Sequence, residues 1–94
     1  MKLLDGATVD GDGTVFNARA AGSRYTSDVF TFYAWGTWGG GTVKLMISPD
    51  NTNWFDVTNA AFTADGVLNV QFRAPYVKAN LAGSSGANLT AFLM

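Results

Sequence analysis

The chain has 94 residues, a net charge of −1, 14% charged and 48% apolar residues, and no cysteine, histidine or glutamate. One hydrophobic core fits that length and a second does not, while the missing residue types exclude disulfides, imidazole acid–base chemistry and any Cys- or His-ligated zinc. Lys2, Arg19, Arg24, Lys44, Arg73 and Lys78 are scattered, which argues against a nucleic-acid partner, and no stretch approaches the roughly 18 apolar residues of a membrane span.

Residues 1–13 read MKLLDGATVDGDG, with three Gly and three Asp after a short apolar start. Gly and Asp supply the backbone conformations that turns require. This segment is expected to be an extended N-terminal arm ending in a turn at Asp10 to Gly13, separable from the folded body. No apolar run of signal-peptide length follows Met1 to Leu4, so the sequence predicts a soluble chain without an export signal.

From Thr14 the pattern has period two. Thr14 to Ala20 sets Phe16, Ala18 and Ala20 against Val15, Asn17 and Arg19, as a strand with one buried face does. Asp28 to Trp38 is the longest strong segment, with Phe30, Phe32, Ala34 and Trp38 on one face and Val29, Thr31, Tyr33, Trp35 and Thr37 on the other. Both faces are aromatic. A sandwich strand needs only one apolar face, so a loop or another subunit is expected to cover the second. Gly36 marks a bulge or a close backbone approach.

After the Gly39 to Gly41 turn, Thr42 to Ser48 alternates, with Val43, Leu45 and Ile47 inward. Pro49 to Asn53 are turn formers that return the chain through Trp54 to Val57 as a hairpin. Ala61 to Thr63 is a short strand piece, and an Asp65-Gly66 turn leads into Val67 to Arg73, with Leu68, Val70 and Phe72 inward. Ala74-Pro75 interrupts. Tyr76 to Ala82 then carries Val77, Ala79 and Leu81 inward, and Asn88 to Met94 carries Leu89, Ala91 and Leu93 opposite Asn88, Thr90 and Phe92. Strands thus recur at intervals of about ten residues, which predicts one all-β domain over 1–94. It is an antiparallel β-sandwich, Ig-like or jelly-roll-like, of about six to eight strands.

Chemical motifs are sparse. Asp10-Gly11-Asp12-Gly13-Thr14 alternates oxygens with glycines as a calcium loop does, but its spacing fails the EF-hand pattern, and a plain turn is the simpler reading. No metal or cofactor is expected. Ser48 to Trp54 resembles the Asp-box turn of β-propellers, without its Gly and with the aromatic one residue early. Asp50 is therefore expected to cap backbone N–H groups and Trp54 to anchor the hairpin on the core. Tyr33, Trp35, Trp38 and Trp54 offer a possible sugar platform, against which stands their use as core and interface. No nucleophile is spaced from a base as in a hydrolase, and no phosphate loop is present, so no enzyme is expected.

Four segments carry a resemblance: Leu3-Leu4-Asp5-Gly6-Ala7-Thr8, the Ser48 to Asp56 hairpin, Thr63-Ala64-Asp65-Gly66-Val67, and Ala74-Pro75-Tyr76-Val77-Lys78-Ala79. Together they resemble small virion structural proteins of tailed bacteriophages. The chain departs from that pattern in having Lys78 for an Arg and Asn51-Thr52 where a Gly is common. The resemblance implies a head-decoration (cement), fibre or adaptor component, located in the virion and often trimeric. It would bind its own copies and the major capsid protein or other virion proteins. The alternative is a carbohydrate-binding or adaptor module of a phage fibre. Leu3, Leu4, Tyr33, Trp35, Trp38, Arg73 and Lys78 are the expected interface residues, and Asp50 and Trp54 the structural anchors.

Overall fold

The computed structural model describes residues 1–17 and 29–94. The second half of the Thr14 to Ala20 strand, together with Arg19, Arg24 and Asp28, lies outside the described residues. Among those described there are nine strands and no helix: β1 (Lys2–Ala7), β2 (Gly11–Asp12), β3 (Phe16–Asn17), β4 (Val29–Thr37), β5 (Thr42–Ser48), β6 (Phe55–Phe62), β7 (Gly66–Gln71), β8 (Tyr76–Ala82) and β9 (Asn88–Leu93).

The strands form two antiparallel sheets, β1-β9-β4-β7 and β2-β8-β5-β6, with β3 following β2 along the same edge of β8. The pairings are nested. β1 pairs with β9, β2 and β3 with β8, β4 with β7, and β5 with β6, as in one long hairpin. That hairpin is then rolled so that β9 also meets β4 and β8 also meets β5. This is the strand order of a jelly roll. The strand count exceeds the expected range because β2 and β3 are two pieces of one edge, parted by a bulge where Gly13 donates to Ala79 and Thr14 to Leu3.

Alternation explains the core. Phe30, Phe32 and Ala34 of β4, Val43 and Leu45 of β5, Val77, Ala79 and Leu81 of β8, and Leu89, Ala91 and Leu93 of β9 are all buried, each on the face their period-two spacing assigns. Phe30 stacks on Phe72 with ring centroids 4.7 Å apart, and Phe32 meets Phe62 of the opposite sheet at 5.3 Å. Burial of such side chains contributes about 1.5 to 3 kcal/mol each.

Two expectations are corrected here. The N-terminal segment is not a separable arm. β1 is an edge strand of the first sheet, with Leu3 only 1% and Leu4 only 5% exposed, so neither is a surface contact. Two register shifts against β9 let both neighbouring leucines face the core. The segments Trp54 to Val57 and Ala61 to Thr63 are likewise not separate pieces. They belong largely to one strand, β6, in which Lys44 pairs with Ala61 but Met46 with Asp56. The extra residues form a wide bulge around Asn59, which sits at φ 64°, a left-handed conformation that Asn tolerates better than most residues.

Candidate functional site

The outer face of the first sheet carries several of the apolar side chains that the core does not take, Val29, Trp35, Val67 and Met94 among them. Register places Lys2, Phe92, Tyr33 and Val67 side by side across β1, β9, β4 and β7, and Thr90 beside Trp35 in the next row. Met94 follows Leu93 and exchanges backbone hydrogen bonds with Thr31. Tyr33, Trp35, Phe92 and Met94 line an apolar hollow of about 260 Å³. Trp35 is 45% exposed and Val67 59%. Polar neutral residues border the patch, with the Thr31 hydroxyl donating to Asn69 at 3.0 Å.

Of the expected interface residues, only Tyr33 and Trp35 meet on this face. Trp38 is half-buried against the core, and its indole N–H donates to Asp65 Oδ1 at 2.7 Å. The same oxygen accepts the Gly36 N–H at 3.0 Å, so the Asp65 turn is tied to the end of β4. Gly36 is required there: its φ is 134°, and a Cβ would lie 2.2 Å from the carbonyl oxygen of Asn88. Arg73 is exposed just beyond β7.

Lys78 is not an open interface residue. It is 8% exposed, with its ammonium 2.8 Å from Asp12 Oδ2 and 4.3 Å from the centre of the Trp54 ring. The chain thus lays an aromatic face over a nearly buried cation, and a carboxylate neutralises it. Trp54 is accordingly not a core anchor. It is half-buried on the outside of the second sheet, where Lys78 and its neighbour across the ladder, Met46, face outward.

Asp50, Asp10 and Asp12 are engaged in structure. Asp50 Oδ1 accepts the N–H groups of Thr52 and Asn53 at 2.9 and 2.8 Å, and Oδ2 accepts the Asn53 side chain at 2.7 Å. Those bonds, led by the Asn53 N–H, hold its pKa down at about 2. Ser48 completes the cap: fully buried, it accepts the Asp50 and Asn51 N–H groups and donates to Asp50. Asp10 accepts the hydroxyl of Ser84 and the N–H groups of Ser84 and Gly83, and its pKa is lowered chiefly by the Ser84 hydroxyl. Asp12 is lowered chiefly by Lys78 and then by Asn80, whose side chain donates at 2.8 Å. Asp10 therefore fastens the Gly83–Ser84 turn and Asp12 ties β2 to β8. Among the described residues, no group of three or more Asp, Glu, His or Cys is placed to hold a metal.

Sequence reasoning missed Phe92, Met94 and Val67 as members of the patch. Alternation already set Phe92 opposite the buried Leu89, Ala91 and Leu93. What the sequence lacks is any sign that β9 and β7 lie on either side of β4. The chain matches no family model, and no curated protein and no solved structure matches it.

Proposed function

We propose that the protein is a non-enzymatic virion structural protein, a capsid-decoration subunit of a tailed phage that works by covering apolar surface with protein. The observation that carries this is the outer face of the first sheet, where Tyr33, Trp35, Phe92 and Met94 form one apolar hollow. Contiguous exposed apolar surface marks interaction sites, and aromatic residues and Met are the types enriched at interface cores. The low charge of the chain supports the same reading, as does the virion resemblance of its four segments. Its own copies cover the face, with the resemblance implying a trimer, and the assembly attaches to the capsid shell. Many weak contacts then add up to firm attachment.

A second reading, a sugar platform, has one observation in its favour: Tyr33, half-buried, and Trp35, exposed, present aromatic rings on one outer face. The hollow they line is apolar, whereas sugar orientation needs convergent polar groups. Sedimentation, co-pelleting with empty phage heads and a glycan array separate the two. The decoration reading expects a mass above that of one chain and head binding that Trp35→Ser weakens. Glycan binding by a monomer that ignores heads would replace it with the sugar reading.

A further inference from the structure

A β-sandwich of open sheets exposes four edges, and three of them here carry features that block strand addition. β1 has two register shifts and the Lys2–Asp5 ion pair at 3.7 Å. The β2–β3 edge is interrupted by its bulge and carries Asp12. β6 bears the wide bulge at Asn59 and the charge of Asp56. Bulges, breaks and charges are the devices by which proteins keep edges from pairing.

β7 has none of these. Its sequence, GVLNVQ, contains no charge and no proline. It pairs with β4 without a slip from Gly66↔Ala34 to Gln71↔Val29. Among the described residues nothing pairs with its other side. Every second residue of an antiparallel edge turns its N–H and C=O away from the sheet, so among the described residues β7 presents a regular, unspent ladder.

We propose that this edge is a self-association site, at which two copies pair β7 antiparallel about a twofold axis through Asn69. The inference rests on the multi-copy reading above and names a contact distinct from the apolar face. The occupant follows from register. Directly opposed residues of an antiparallel pair share a face, so a twofold pairing must place inner residues opposite inner ones. Centred on Asn69, it sets Leu68 against Val70 of the partner subunit on the core side and Val67 against Gln71 of the partner subunit on the outer side. Centred on Leu68, it would waste Val70 against a glycine.

The axis itself is prepared. Asn69 Oδ1 accepts the Thr31 hydroxyl, which leaves the amide hydrogens of Asn69 to cross the axis to the carbonyl of Asn69 of the partner subunit. The contact is isologous, the commonest form of self-association. It also extends the outward-facing row Lys2, Phe92, Tyr33 and Val67 into Gln71 and Val29 of the partner subunit.

The chain has no cysteine, so one introduced thiol gives a clean test. Asn69→Cys should yield a disulfide-linked dimer under mild oxidation, because the two thiols face each other at the axis. Val67→Cys, opposite a glutamine, should crosslink far less. Asn69→Asp keeps the acceptor for Thr31 but opposes two carboxylates, and should weaken the contact about tenfold or more with near-UV circular dichroism unchanged. Two results overturn the edge pairing. One is crosslinking of Asn69→Cys no faster than Val67→Cys; the other is an assembly mass that Asn69→Asp leaves unaltered. Either leaves the apolar-face reading standing, since that reading fails separately, through Trp35.

Discussion

Ser48 and Asp50 turn a run of polar residues into a closed hairpin, and the chemistry of that cap makes it sensitive to pH. The Asp50 carboxyl titrates at about 2 in the folded chain against its ordinary 3.8. The cap therefore contributes stability above the unfolded value and loses it as pH falls through the folded one. Asp50→Asn should be less stable than wild type at neutral pH, with the gap closing near the folded pKa. Urea denaturation at both pH values checks this, and a gap that persists in acid contradicts it. Trp54 belongs to the same hairpin but not to the core. Its removal takes away a cation–π contact and the cover over Lys78, so Trp54→Ala should cost about 1 to 2 kcal/mol, below the roughly 3 to 5 kcal/mol of a core tryptophan. The same denaturation experiment measures it. The turn residues at Asp50 were legible because their chemistry is local; the partner of Trp54 was not, because Lys78 reaches it from a strand far along the chain.

At the scale of elements, β1 departs most from its sequence pattern. Two adjacent leucines and a glycine at φ 61° break the alternation that announces a strand, so the segment looks like a turn-rich arm. The backbone accommodates this through register shifts against β9, and Leu3 and Leu4 both enter the core. Deleting residues 1–7 should therefore abolish cooperative unfolding, and Leu3→Ala alone should cost about 2 to 5 kcal/mol. Thermal unfolding by circular dichroism is the check. A truncated chain that melts like wild type would mean that β1 merely lies against the core. β6 shows the same lesson in milder form: the Asn59 bulge hides the continuity of one strand, because a bulge interrupts the period that sequence reasoning counts. Where alternation is unbroken, as in β4 and β9, the buried face was legible residue by residue; in β5 and β8 the burial of Ser48 and Lys78 departs from it.

At the scale of the molecule, period-two alternation predicts sheets but not their order. The nested pairing of β1 with β9 and β4 with β7 joins residues distant in sequence, and no local signal encodes it. That order nevertheless makes the surface. It sets β9 and β7 beside β4, so Phe92 and Val67 flank Tyr33 in one row of the outer face. The doubled aromatic pattern of β4 was the one sequence feature that pointed to this face. An apolar sheet face left over after the core is complete calls for cover, and the proposed cover is protein. Sedimentation equilibrium of the wild-type chain beside Trp35→Lys tests that most directly. The wild type should show a mass above the 10.0 kDa of one chain, and Trp35→Lys should lower that mass while leaving the melting temperature within the small shift expected of a surface change. A wild-type chain that sediments at 10.0 kDa, or a Trp35→Lys variant whose mass equals that of wild type, would contradict it.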